Sequence, residues 1–558
     1  LTGGTSGPLS PPVAVILLLG VVWFASEASG SLATTLRELI AFRVTSTTKE
    51  RLLRQAYTLD YALFENPALL DRFMIATARA ESTAINGGFA LADLLRTALS
   101  LGAVAVLLGR LHPLAPIAVF LLSGPKVAWG MEYARRYWRM SLQETEAHRM
   151  AEHLAHTLTE PEAAKEMRLF SAGSMLLGRY TALRETFLQE TRRMLFGMQG
   201  WSALCSVSSA VAIAGVWYYA VAATLADRAS LGDLALYLQA AVGCSVGMAS
   251  VGNSLRMLND SRLVLAEVFH FLDLAPAAIP GGRAQGTGPR HAYSLRQGIE
   301  FRDVWFTYPG TDRVVLAGIN LTIPAHTTMG LVGRNGCGKT TLVKLLTRLY
   351  DPEQGEILLD GRPLTQVPLE EYQARIGAVF QDFVRYELSL RDNVAIGCPA
   401  RLTDDAALLR AIEKGGADSL LAKMPRGLET VLSRQYTDGA DLSIGEWQRV
   451  AMSRAFANED AELLVLDEPT AALDVFAEER IFAGFARLVE GRTAVLVSHR
   501  LSAVRPLTAI AVMDEGRIVE CGSHEQLMQQ GGLYREMFVT QASQYGPLNQ
   551  AADEGGAA

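Results

Sequence analysis

The chain has 558 residues, too many for one ordinary domain, and a hydrophobic fraction of 49 % with a mean hydropathy of +0.17, high for a purely soluble enzyme. A net charge of −7, with no dense basic patch in the second half, argues against nucleic acid as a partner. Five cysteines (Cys205, Cys244, Cys337, Cys398, Cys521) show neither a CxxC pair nor a metal-ligand spacing, so no disulfide or zinc framework is expected.

The apolarity gathers in the first half, in runs at Pro11 to Leu36, Thr97 to Gly109, Leu111 to Pro125, Met194 to Ala226 and Leu234 to Leu255. With its flanks, each nears the roughly 20 residues that a helix needs to cross a bilayer, and five such runs predict five spans. Asp93 and Arg96 precede the second, spaced to pair on one helix face. Glu27 is the main ionisable residue inside a span, which makes it a functional-site candidate. Loop charge orients the spans, because Lys and Arg near span ends favour the cytoplasm. Arg37, Arg43, Lys49, Arg51 and Arg54 follow the first span; Lys126, Arg135, Arg136, Arg139 and Arg149 follow the third. Both stretches are expected in the cytoplasm, whereas Arg110 to Pro113 and Asp227 to Ser230 read as tight outward hairpins. This places Leu1 outside, and with no charged n-region of a signal peptide the expectation is an N-terminally truncated six-span protein, the alternative being a natural five-span variant.

Lys49 to Leu70 and Ser141 to Thr191 are polar and helix-favouring, so they are expected to carry the spans into the cytosol. Ala275 to Pro289 is Pro/Gly-rich and reads as a linker; a soluble α/β unit follows, and the tail from Gln541 is expected to be disordered. The predicted domains are thus 1–274 in the membrane, 275–297 as linker, 298–540 soluble and 541–558 as tail.

In the soluble half, an apolar run ends in the glycine turn Gly333-Arg334-Asn335-Gly336-Cys337-Gly338-Lys339-Thr340-Thr341. Its spacing, Gly, four residues, then Gly-Lys-Thr, is a phosphate cradle: backbone N–H groups point at phosphates, Lys339 reaches the β/γ oxygens and the Thr340 hydroxyl reaches Mg²⁺. The next helix starts here, its positive end toward the phosphates. Leu463 to Leu466 reads as a buried parallel strand that delivers Asp467 and Glu468 to the sheet edge beside the cradle. Asp467 is placed to hold Mg²⁺ through water, and Glu468 to polarise the water that attacks the γ-phosphate.

Between the cradle and this strand stands LSIGEWQR (442–449), which resembles the signature motif of ATP-binding cassette transporters. The order agrees: Tyr308 in FTYPG, the cradle, Gln381 in VFQDF, the signature, LLVLDEP, Ala471-Ala472-Leu473-Asp474 and His499 in VLVSHR. With the spans, the resemblance covers nearly the whole chain and is closest to bacterial exporter-type half-transporters, in which a membrane domain and a nucleotide-binding domain are fused. It implies an α-helical transmembrane bundle followed by an α/β P-loop ATPase with an antiparallel β subdomain and a helical signature subdomain. It also implies ATP and Mg²⁺ as cofactors, the cytoplasmic membrane as location, and a second half-transporter as partner, a homodimer being favoured by the intact catalytic set.

By this resemblance Tyr308 would stack on adenine, Gln381 would contact Mg²⁺ and the attacking water, and His499 would hold the γ-phosphate and Glu468 in register. Ser443 and Gly445, with Glu446 in the same motif, would face ATP on the opposite subunit, and Asp474 would lie at that seam. Phe64 to Pro67 and Glu162 to Phe170 resemble coupling helices that rest on nucleotide-binding domains. The chain departs from the pattern with Ile444 for a usual glycine and Glu446 for a usual glutamine. The branched side chain is expected to restrict the turn and the carboxylate to repel a triphosphate mildly, giving a weaker site. Cys337 is expected to sensitise the ATP site to thiol reagents. The reading is ATP-driven export of an unspecified substrate by alternating access; the alternatives are an importer of exporter-type architecture with siderophore-like cargo, and a membrane-anchored ATPase that transports nothing.

Overall fold

The computed structural model describes residues 11–65, 67–142, 146–274, 294–469, 489 and 491–544. The expected linker, apart from its last residues, and the Ala471 to Asp474 motif lie outside the described residues. Within them the chain forms two compact units: one takes the chain up to Tyr57 together with Asp71–Asp273, the other Thr58–Leu70 together with the chain from Leu274.

The first unit is helical. Its elements are α1 (Pro11–Thr58), α3 (Pro67–Leu111), α4 (Leu114–Leu142), α5 (Glu146–Thr159), α6 (Pro161–Leu169), α7 (Gly173–Leu225) and α8 (Leu231–Leu272), while the short α2 (Tyr61–Glu65) sorts with the second unit. Among the described residues, five stretches are long and apolar enough to cross a membrane: Val13–Thr58, Asn86–Leu111, Leu114–Glu132, Gly173–Leu225 and Leu231–Leu272. One falls on each expected span. Small residues let the helices approach closely, as expected where lipid supplies no hydrophobic drive: Ala212, Ala240, Ala241 and Cys244 pack with Leu101, Leu108, Val119 and Val216. Ser208 Oγ donates to the Leu122 carbonyl at 2.6 Å, tying α7 to α4. Asp93 meets Arg96 at 3.8 Å as the spacing suggests, and also Arg37 of α1 at 3.1 Å.

One expectation changes here. α4 does not stop at Pro125 but runs on to Leu142, so Lys126 sits on a helix, inside the membrane-length stretch Leu114–Glu132, rather than in a loop. A proline is tolerated inside a membrane helix because neighbouring groups can satisfy the carbonyl it leaves unbonded.

The second unit is α/β. A four-stranded antiparallel sheet has the order β2-β1-β4-β5, from β1 (Gly298–Thr307), β2 (Val314–Pro324), β4 (Gln354–Leu359) and β5 (Arg362–Pro363). A six-stranded sheet has the order β10-β9-β3-β8-β7-β6, from β3 (Thr328–Gly333), β6 (Ile376–Val379), β7 (Leu463–Asp467), β8 (Thr493–Val497), β9 (Ala509–Asp514) and β10 (Arg517–Gly522). Its strands β9, β3, β8, β7 and β6 are parallel and β10 is antiparallel. β7 and β8 are buried at every position, which is why they read as unbroken apolar runs. α9 (Lys339–Leu346) lies in the core between the sheets, where Leu342, Val343 and Leu346 join Phe301, Phe306, Ile319 and Met329. A helical subdomain forms its own core, with Leu390, Val394, Leu408, Ile412 and Trp447.

α2 is docked on this unit. Glu65 Oε1 accepts from Lys344 Nζ at 2.8 Å and its other oxygen from the Tyr350 hydroxyl, while the Tyr61 ring stands edge-on to Tyr350 at 5.8 Å. Burial alone would raise the Glu65 pKa, but these hydrogen bonds hold it below the ordinary carboxylate value. The C-terminal helix Leu533–Gln544 corrects a second expectation: Gln541 is helical and hydrogen-bonded, not the start of a disordered tail.

Candidate functional site

β3 ends at Gly333 and α9 begins at Lys339, so the turn between them opens at the carboxyl edge of the parallel sheet. Only glycine fits at two of its positions. Gly338 has φ +106° and a Cβ there would lie 2.7 Å from Leu316 Cδ2; at Gly333 it would lie 2.1 Å from the Met513 carbonyl oxygen. Lys339 is buried, with Nζ 3.0 Å from the carbonyl oxygens of Gly333 and Arg334. The cleft beside the turn holds about 520 Å³ and is lined by Asn335, Gly336, Gly338, Lys339, Thr340, Thr341, Gln381, Glu468 and His499. Residues from four separate motifs therefore meet around one space.

At one pole of the cleft stands Glu468. Its Oε2 accepts from Gln381 Nε2 at 3.1 Å and lies 3.5 Å from His499 Nδ1. Its backbone is in the left-handed region with φ 50°, fixed by its N–H on the Val497 carbonyl and by Gln448 Nε2 on its own carbonyl at 3.1 Å. Such strain in a non-glycine residue persists only where the surroundings over-determine it. The carboxylate is mostly shielded from solvent beside Gln381 and His499.

Asp467, one residue earlier, is buried, and among the described residues neither of its oxygens has a hydrogen-bond partner. Burial pushes its pKa up to about 6, offset only in part by the nearby Thr340 hydroxyl and Lys339 charge. A buried carboxylate eased only by the nearby Thr340 hydroxyl and the Lys339 charge is a place for a cation, so these residues fit Mg²⁺.

Tyr308 does not line the cleft but touches its wall through Thr341. Its hydroxyl pairs with Thr341 Oγ1 at 3.0 Å, its ring meets Phe306 at 5.1 Å and Tyr350 at 5.7 Å, and Lys344 Nζ lies 5.0 Å from its centroid. The same Lys344 holds Glu65 of α2, so α2 and Tyr308 share one cation.

The signature residues sit elsewhere. Ser443 caps the helix Ile444–Ala457 and is exposed; neither it, Gly445 nor Glu446 lines the cleft. Ile444 is the first helical residue, absent from the positive-φ positions and 55 % exposed, so glycine's freedom is not needed there and the expected strain does not arise. Glu446 closes a capping box: its carboxylate accepts from the Ser443 N–H at 2.9 Å and lies 3.0 Å from Ser443 Oγ, with Lys423 at 3.6 Å. The Ser443 N–H holds the Glu446 pKa below the ordinary value. Cys337 is also corrected: it is buried and burial pushes its thiol pKa up, so it lacks the exposed thiolate that makes a cysteine reactive.

Gln541 escaped sequence reasoning because a glutamine in a polar tail carries no spacing signal. Its Oε1 accepts from the Leu501 N–H at 2.7 Å while its Nε2 donates to the His499 carbonyl at 2.9 Å, so one amide brackets the loop that carries His499.

Comparison with known proteins agrees with this geometry. A family model described as ABC transporter matches residues 316–471. The chain is 34 % identical over 445 residues to an ATP-dependent lipid A-core flippase of Xanthomonas euvesicatoria pv. vesicatoria, covering 79 % of this chain and 72 % of that protein. It is 28 % identical over 408 residues to the subtilin transport ATP-binding protein SpaT of Bacillus subtilis, covering 73 % of this chain and 65 % of that protein, just under two thirds. A solved bacterial Atm1-family ABC exporter with ATP bound has the same fold, with a TM-score of 0.75 at 24 % identity over 96 % of this chain and 92 % of that one.

Proposed function

Because the chain belongs to the ATP-binding cassette transporters and has the fold of their exporters, we propose that two copies close their cassettes on two ATP and thereby export a substrate across the cytoplasmic membrane. The observation that carries this is the convergence of Gln381, Glu468 and His499 at one pole of the phosphate cleft, in a chain with five membrane-length stretches.

Each residue has a physical part. The cradle N–H groups and Lys339 bind the β/γ-phosphates, and the Tyr308 ring supports adenine. Thr340, Asp467 and Gln381 would hold Mg²⁺, partly through water, and the ion would supply charge neutralisation for the phosphates. Glu468 orients the attacking water, with His499 keeping it and the γ-phosphate in register. Ser443 and Gly445 lie outside their own chain's cleft, which supports their completing the site of a second subunit. The intact set of Lys339, Glu468 and His499 favours a homodimer. ATP favours the closed dimer because it binds across both subunits, and cleavage removes that differential affinity.

The test is ATP-dependent movement in sealed inverted vesicles that carry the chain. Uptake into them, lost in Glu468→Gln, is expected; movement in the opposite sense, or ATP turnover with no movement of any substrate tried, would overturn export.

A further inference from the structure

The membrane half holds a cavity of about 450 Å³ bounded by α4, α7 and α8, whose lining includes Lys126, Trp129, Gln199, Ser202, Asn253 and Arg256. Its size is that of a small-ligand site, and no lining residue is acidic. We infer that this cavity binds an organic anion, a phosphate, carboxylate or sulfonate group attached to an apolar body. The inference rests on the export reading, since it names the substrate class that the exporter would take.

Charge carries the argument. Lys126 lies in the membrane-length stretch Leu114–Glu132 and lines the cavity. An ammonium inside an apolar stretch is costly unless it reaches a partner, an interface or a water-filled space, and is a functional-site candidate by default. Among the described residues Lys126 has no ion pair or hydrogen bond. Arg256 is different: Asp260 lies 3.3 Å from Nη1 and Nη2 donates to Asn253 Oδ1 at 3.0 Å, so its charge is partly balanced and its position fixed. Among the described residues, the Lys126 charge in this space therefore has no carboxylate paired with it, while that of Arg256 is balanced by Asp260.

The remaining wall suits such a ligand. Gln199, Ser202 and Asn253 offer neutral donors to anion oxygens, and the Trp129 indole, tilted at 42° to Trp201 with the ring centroids 5.8 Å apart, gives an apolar surface.

The test titrates the purified chain with 1-naphthyl phosphate by calorimetry, without ATP, in phosphatidylcholine nanodiscs. Saturable binding is expected, weakened at least tenfold by Lys126→Gln and by Arg256→Gln and retained by Lys126→Arg. The cation 1-naphthylmethylamine should bind at least tenfold more weakly. Repeating the titration with phosphatidylglycerol in the nanodiscs separates the sources: competition means a lipid headgroup is the natural anion, and an unchanged affinity means a water-soluble one. No saturable binding, equal affinity in wild type and both neutral variants, or preference for the amine would overturn the inference. Because no ATP is present, intact binding with no transport would instead overturn the export reading alone.

Discussion

Replacing Gln541 by alanine removes a brace from the loop that carries His499, the histidine proposed to act in catalysis. The amide accepts from the Leu501 N–H at 2.7 Å and donates to the His499 carbonyl at 2.9 Å. At about 1 kcal/mol for each hydrogen bond the loop loses about 2 kcal/mol of preference for its present geometry, equivalent to a factor of roughly 30. His499 Nδ1 already sits 3.5 Å from Glu468, so even a small drift weakens the register of the two. Gln541→Ala should therefore lower kcat for ATP by about 10- to 30-fold while KM stays within about twofold, because the cradle and Lys339 are untouched. Gln541→Glu keeps the acceptor for Leu501 and loses the donor to His499, so it should fall between. The assay is phosphate release in lipid nanodiscs across ATP concentrations. A kcat within twofold of wild type for the alanine variant, or a raised KM with unchanged kcat, would refute the brace.

Other outcomes follow from the same geometry. Glu446→Gln keeps an acceptor for the Ser443 N–H and removes a charge that the site of a second subunit would face, so KM for ATP should fall by up to about fivefold, about 1 kcal/mol; an unchanged or higher KM would count against trans completion. Burial raises the Cys337 thiol pKa, so the folded chain should stay protonated and resist iodoacetamide at pH 7, reacting only above the ordinary thiol range, whereas the unfolded chain reacts lower; equal labelling of both at pH 7, read by mass spectrometry, would contradict this. Glu65→Ala strands the half-buried Lys344 ammonium at a cost of about 1–3 kcal/mol, so proteolysis within Thr58–Leu70 should accelerate by tenfold or more; an unchanged cleavage rate would show that the pair does not hold α2.

The nucleotide site was largely legible in the sequence because its chemistry depends on contiguous residues. The cradle, the strand before Glu468 and the buried apolar runs of β7 and β8 each announce their geometry locally. What escaped depends on partners distant in the chain. Gln541 acts on residues 40 and 42 positions away, and no local pattern reveals it. Lys126 looked like a loop charge because Pro125 looked like a stop, whereas the packing of α4 against α7 and α8 carries the helix through. Ile444 looked strained because a glycine is usual there, but the backbone it adopts is helical, and Glu446 turned out to cap its own helix.

ATP hydrolysis by the purified chain in lipid nanodiscs, compared with Glu468→Gln, tests the central claim most directly. Wild-type chain alone should turn over ATP well above the variant, while the variant should bind ATP and remain as a closed pair. Hydrolysis by Glu468→Gln at the wild-type rate would contradict the assignment of the catalytic carboxylate and the account built on it.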